Sequence, residues 1–326
     1  MTFPLLRLPY VAIKEILRMM DFRHLFLLSL CSKRTQVAVK HYQDRSIKLE
    51  LHVLADNGTI QVKLFHDKND GDLVVSVRDM SGFPPIGWRH AEFPGVLFQE
   101  EQFGLKQCYC ENVEWTTMSL LEHLSDLFSV PINSVTLGQN LMWILEWVER
   151  RQGPRSYEAI VTSQTISDHQ LWHLLVDLNP RTLELHAQPA SAHFFIEGFY
   201  KTYEHFKLVH GAWFTIDNLI TLDCNQIQLH HPTFTIDEIN RFFRHVLLGG
   251  ATSMVFCGFV NSGDHDAVLD GVREVLAPIP GETQFESHTA SWKFSGMIEG
   301  GDRAVFVSIN CSRDVQHLIC LNVWEE

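Results

Sequence analysis

The sequence has no long hydrophobic run, no cysteine framework, no glycine-rich phosphate loop and no coherent catalytic set. Each absence removes a class of function. The apolar stretch LFLLSLC, residues 25–31, falls far short of the ~18–20 residues that a bilayer-spanning helix needs. The segment around it is broken by Arg7, Lys14, Glu15, Arg18, Asp21, Arg23 and His24. A secretory signal requires a continuous apolar core of about 7–15 residues ending in small residues. Here the run comes late and leads into Ser-Lys-Arg, and the acidic residues argue against a mitochondrial presequence. Neither a targeting segment nor a membrane span is expected. Seven cysteines, at 31, 108, 110, 224, 257, 311 and 320, are odd in number and lack framework spacing. They read as reduced, mostly buried side chains, which suits the cytoplasm or nucleus.

The search for chemistry is also mostly negative. There is no G-x-x-x-x-G-K-[ST], G-x-G-x-x-G or G-x-S-x-G motif. His169 and His173 share a predicted helical face, but Gln170 stands where a zinc protease would carry its glutamate. His230 and His231 precede a proline in a turn. Asp67 to Asp72 resembles a calcium loop only loosely. Gly71 is fifth rather than sixth, and the twelfth position is Arg78. Cys108 and Cys110 form a C-x-C pair with no second pair nearby, and better suit one packed strand face. Asp264, His265 and Asp266 read as an acidic loop. Gly249-Gly250 reads as the end of a helix. No metal and no cofactor is implied, and a non-enzymatic role is favoured.

What is present is a charge asymmetry and a change of periodicity along the chain. The net charge is −13, yet residues 1–50 hold nine Lys/Arg against four Asp/Glu. The remainder holds 17 against 35. The acidic body carries no basic patch interleaved with aromatics, so no nucleic-acid role is expected. The basic head suits an acidic partner.

Residues 1–45 read as three short helices. Val11, Ile13, Ile16, Leu17 and Met20 have helical spacing in the first. Asp21 caps the second and Ser32 the third. So small a bundle buries too little surface to be stable alone. It must pack on the downstream domain or be completed by a partner. Residues 46–115 read as an antiparallel β region. Asn57-Gly58 joins its first two strands, because both central residues of a type I′ turn need positive φ. From 116 the chain alternates strands and helices. Strands centre near Thr136, Val161, Glu184 and Leu208, spaced 25, 23 and 24 residues apart. Helices are expected over 140–151, 167–178 and 190–205. That spacing matches a leucine-rich-repeat unit, loosely. The end returns to strands over 291–298, 304–311 and 316–323. The fold class is α+β: a short helical head, an antiparallel β segment, then a repeat-like α/β body over 116–326 ending in strands.

The head resembles the F-box. Leu8-Pro9 opens it. Ile13, Ile16 and Leu17 come next, then Met20-Asp21, then a helix with Leu25, Leu28 and Leu30. Cys31-Ser32-Lys33-Arg34 closes it. Phe22 and Arg23 replace the usual proline-containing turn, and Thr35 stands where Trp is common. The wording of the head looks like the large nematode F-box family, whose members carry a C-terminal type 2 F-box-associated domain. Over roughly 185–260 the body is similar to that domain at Asn240, Phe242, Phe243 and Gly249, with Val246 where Trp is expected. The terminal LNVW also fits.

The resemblance implies a non-catalytic substrate receptor of a Skp–cullin–F-box ubiquitin ligase. The F-box would dock a Skp-type adaptor, and through it a cullin, while the C-terminal region would hold a protein substrate. It also implies which residues meet the adaptor: Leu8, Pro9, Ile13, Ile16, Leu17, Leu25, Leu28 and Cys31. Three packed helices need about half of these for their own core. The substrate and its binding surface are not identified by the sequence. The alternative reading is an adaptor-independent interaction scaffold whose F-box is degenerate.

Overall fold

In the computed structural model the described residues are all but 1–6, 43–46, 67–70, 82–86, 91–92, 101–105, 139–140, 231–233, 249–253, 260–264, 275, 281–282, 288–290, 301–302, 313–317 and 326. The chain forms two compact units, residues 1–158 and 159–326.

The first unit opens with helices α1 (Tyr10–Arg18), α2 (Phe22–Cys31) and α3 (Lys33–Tyr42). The two expected caps form. The His24 N–H donates to Asp21 Oδ1 at 2.7 Å, and the Thr35 N–H to Ser32 Oγ at 3.2 Å. Three antiparallel strands come next: β1 (Leu49–Asp56), β2 (Thr59–His66) and β3 (Asp72–Asp79). Asn57 and Gly58 have φ of 48° and 71°, as a type I′ turn demands. Strands β4 (Trp88–His90), β5 (Phe93–Glu100) and β6 (Lys106–Cys110) add to this sheet. Here β6 runs parallel to β3. Helix α4 (Val113–Phe128) then leads to β7 (Ile132–Leu137) and α5 (Trp143–Gln152). Strand β7 pairs parallel with β1, giving the order β7-β1-β2-β3-β6-β5-β4. Alternation sends Leu51, Val53, Ala55, Ile60, Val62 and Leu64 into the core. Helix α4 begins at Val113. Asn112 caps it, accepting from the Trp115 N–H at 2.9 Å.

Around the boundary lies β8 (Glu158–Val161). The second unit continues with β9 (Thr165–Ile166), α6 (Asp168–Val176), β10 (Thr182–Leu185), β11 (Gln188–Pro189) and β12 (Lys201–Leu208). Then come α7 (Ile216–Ile220), β13 (Leu222–Leu229), α8 (Ile236–Leu248), β14 (Met254–Phe259) and α9 (His265–Leu269). The chain ends with β15 (Phe285–Ser287), β16 (Ser291–Gly300), β17 (Arg303–Ser312) and β18 (Leu318–Glu325).

Strands β10, β12, β13 and β14 pair in parallel, in space as in sequence. Strand β14 then meets β18 antiparallel, and β18, β17, β16 and β15 complete an antiparallel end. One face of the parallel part is buried through Leu183, Leu185, Phe206, Leu208, Ile227 and Leu229. The other is polar and half-exposed, with Glu184, Lys207 and Gln228 in one row.

The helix expected over 190–205 is not there. Residues 190–199 form turns and bends, and β12 occupies 201–208. Gly198 sits at φ 65°, outside helical space. Beyond it Tyr203, Phe206 and Leu208 are buried in strand geometry. The serial units are also uneven: the parallel strands β10, β12, β13 and β14 begin at residues 182, 201, 222 and 254.

Candidate functional site

The helical head is built into the first unit. Phe26 of α2 is fully buried, its ring 6.0 Å from that of His123 in α4. Phe22 packs edge-on to Phe128 of α4 at 5.6 Å and to His66 of β2 at 5.5 Å. A residue that departs from the usual turn thus becomes an anchor.

Polar ties lie alongside. The Ser29 hydroxyl donates to the Phe26 carbonyl at 2.6 Å, so His123 Nε2, 2.8 Å away, must donate to Ser29 Oγ. That leaves His123 Nδ1 to accept from Gln36 at 3.4 Å. Arg23 Nε donates to the Leu73 carbonyl of β3 at 3.3 Å, His90 bonds the Leu30 carbonyl, and Lys40 pairs with Asp126. At the start of α2, burial pushes the Asp21 carboxyl up, but hydrogen bonds from His24 outweigh it and hold it below its usual range.

The residues singled out for docking divide into two groups. Ile13, Leu17 and Leu25 are buried in the head itself. Leu8, Ile16 and Leu28 are half-buried, and Pro9 and Cys31 are exposed. Four apolar residues of the head outside that set are also exposed: Tyr10 at 54%, Val11 at 67%, Met19 at 87% and Val37 at 65%. Apolar spacing alone places Val11 in the stripe of α1, but the helix turns it outward. At 100° per residue it lies about 160° from Ile13 on the shorter arc, nearly opposite. The signal that separates it is each position's angle from the Ile13–Leu17 axis.

The second unit carries a compact aromatic core between β12 and β14. Phe199, Phe206 and Phe214 form one cluster, with Tyr203 stacked on Phe206 at 5.4 Å. Phe242 and Phe243 of α8 contact Phe256 of β14. Asn240 is buried on α8, and its amide donates to the carbonyls of Val268 at 2.8 Å and Asp270 at 2.5 Å. It therefore ties α8 to the end of α9. Val246 is buried in the same helix, whereas Gly249 lies outside the described residues.

A repeated tetrapeptide is a local signal that sequence reasoning missed. Phe-Thr-Ile-Asp occurs twice, at 214–217 and 234–237. Each threonine caps a helix, accepting from the Asn218 and Glu238 N–H groups. Glu238 returns a bond to the Thr235 N–H, closing a capping box. Each phenylalanine is buried just before its cap, and Leu219 and Ile239 are buried four residues into each helix. That is hydrophobic-staple geometry.

Among the described residues, no group of three or more His, Cys, Asp or Glu is gathered to hold a metal ion. His169 is exposed, and His173 donates to Asp177 at 2.6 Å. Cys108 and Cys110 are buried, and burial raises both thiols above their usual range. Residues 67–70, His231 and Asp264 lie outside the described residues. No described helix is long and apolar enough to cross a membrane.

The comparisons with known families match these two regions. The F-box domain family matches residues 5–44, and the F-box associated family matches residues 195–256. The chain carries an F-box and an F-box-associated segment. No curated protein and no solved structure matches it. The F-box comprises α1, α2 and α3, and the F-box-associated segment runs from the loop before β12 into β14. This pairing is typical of substrate-receptor proteins rather than of catalytic subunits.

Proposed function

We propose that this chain is the substrate-receptor subunit of a Skp–cullin–F-box ubiquitin ligase. The observation that carries the reading is the F-box match over residues 5–44, completed downstream by the F-box-associated match. The F-box docks a Skp-type adaptor, which links it to a cullin, and the C-terminal region holds a protein substrate. The chain itself performs no chemistry. Such a role places it in the cytoplasm or nucleus.

Physical features of the F-box support this reading. Apolar side chains are exposed at Tyr10, Val11 and Met19, and Pro9 and Cys31 are exposed as well. Several exposed apolar side chains on one small module support an interaction role. The docking contacts are Leu8, Pro9, Ile16, Leu28 and Cys31, because these residues reach solvent while Ile13, Leu17 and Leu25 serve the interior.

The test is binding of the full-length chain to a purified Skp-type adaptor by calorimetry or size-exclusion chromatography. A stable complex is expected, weakened at least about tenfold, or ~1.4 kcal/mol, by Leu8→Ala with Pro9→Ala. Ile16→Ala and Leu28→Ala should act in the same direction. No complex with the intact chain, or one indifferent to the double substitution, would overturn the proposal in favour of an adaptor-independent scaffold. Truncation of residues 1–45 is a poor substitute for these variants, since it strips Phe22 and Phe26 from α4.

A further inference from the structure

Two cysteines of the second unit meet across the seam where its parallel sheet turns antiparallel. Cys257 on β14 lies directly opposite Cys320 on β18, with the sulfurs 2.7 Å apart. Both are half-buried, so small oxidants and alkylating reagents can reach them. Four other cysteines are placed differently. Cys108, Cys110 and Cys224 are buried, and burial pushes the Cys224 thiol up to about 12. Cys31 is exposed on the F-box.

We propose that Cys257 and Cys320 form a thiol–disulfide site that closes reversibly across β14 and β18. An S–S bond is about 2.05 Å long, so closure needs only a small side-chain adjustment between residues the register already aligns. The hydrogen bond from Cys320 also draws the Cys257 thiol below its usual range, against the effect of burial. That favours Cys257 as the attacking sulfur.

The oxidant is a peroxide. The Cys257 thiolate attacks one peroxide oxygen and breaks the O–O bond, giving a sulfenic acid; the departing hydroxide takes up a proton as water. The Cys320 sulfur then attacks the sulfenic sulfur, and its proton leaves with the hydroxyl as a second water. In total two thiols and one hydrogen peroxide give one disulfide and two waters. Two electrons pass from the sulfurs to the peroxide. A dithiol reverses the step by exchange. The closed form fastens the last strand to the edge of the F-box-associated match, which ends at residue 256.

The experiment uses the full-length reduced chain. It is exposed to graded hydrogen peroxide, blocked with iodoacetamide, digested without reductant and mapped by mass spectrometry. The expected product is a peptide pair joined through Cys257 and Cys320, lighter by two hydrogens than its parts and lost after dithiothreitol. Oxidation of exposed Cys31 shows that the peroxide acted. Recovery of both Cys257 and Cys320 in alkylated form at doses that convert Cys31 would sink the proposal. So would their pairing with other cysteines. As a second measurement, oxidation should raise the melting temperature of the wild-type chain. That rise should be absent in Cys320→Ser, and its persistence there counts against the site.

Discussion

Replacing Phe26 by alanine asks whether the F-box is a separate appendage or part of the first unit. The ring is fully buried and lies against His123 of α4. Truncating a phenylalanine in a closed core costs about 3–5 kcal/mol, combining lost transfer energy with the void left behind. Domain stabilities are about 5–15 kcal/mol, so roughly a fifth or more of the first unit's stability rides on this side chain. Met19→Ala is the control. At 87% exposure it should change stability by no more than about 0.5 kcal/mol. Urea unfolding followed by tryptophan fluorescence reads both, with Trp115 a reporter on α4, the helix against which Phe26 packs. The expected result is a clear fall in the midpoint for Phe26→Ala and none for Met19→Ala. A Phe26→Ala variant within about 0.5 kcal/mol of wild type would refute the reasoning. So would a chain lacking residues 1–45 whose first unit unfolds at the wild-type midpoint.

Two further predictions concern the second unit. Asn240→Ala removes a buried amide and leaves the carbonyls of Val268 and Asp270 unpaired, so it should cost about 2–4 kcal/mol in thermal or urea unfolding. Asn240→Asp should be worse at neutral pH, because a carboxylate would face those carbonyl oxygens, and should partly recover in mild acid. Glu184 supplies a pH effect. Burial raises its carboxyl, but Lys207 at 2.6 Å and His186 at 2.6 Å more than offset this and hold it below the usual glutamate range. The contribution is therefore present above the unfolded value, ~4.3, and is lost as pH falls through the lower folded value. Glu184→Gln should cost at most about 1 kcal/mol near neutrality and flatten this acid limb, as measured by melting temperature from pH 7 to pH 3.

The parts of the fold that could be read from sequence are those set by near neighbours. Asn57-Gly58 predicts a hairpin because positive φ at both residues is a local requirement, and Asp21 and Ser32 announce helix starts through their own side chains. The paired strands at the C-terminus are legible from alternation. The segment 190–205 misleads because apolar spacing alone cannot separate a short helix from turns leading to a strand. Gly198 is the deciding residue, and its effect depends on a backbone angle that the sequence does not display. The parallel pairing of β3 with β6 and the meeting of β14 with β18 join distant residues, which no local signal encodes. The residues proposed for docking are only half legible for a related reason. Resemblance ranks Ile13, Leu17 and Leu25 with Leu8 and Pro9, whereas packing of the three helices decides which of them reach solvent.

The anchoring of α2 also bears on how the F-box would meet an adaptor. A module tethered only through residues 43–46 would sample many orientations, and a partner would bear the entropy of fixing one. Swinging α2 away from α4 exposes Phe22 and Phe26, at about 1.5–3 kcal/mol per side chain. It also breaks the Ser29–His123 and Arg23–Leu73 bonds. Even the lower figure, about 3 kcal/mol in total, keeps the released arrangement below roughly one molecule in a hundred. Under the proposed role, Leu8, Pro9, Ile16, Leu28 and Cys31 would therefore be held in place before an adaptor arrives. An adaptor binding it would lose little affinity to reorganisation. The same anchoring means that whatever orients the F-box also orients the first unit as far as residue 158. Under the proposed role, Phe26→Ala should therefore weaken adaptor binding indirectly, in step with its loss of stability, whereas Leu8→Ala with Pro9→Ala should weaken binding while leaving the unfolding midpoint in place.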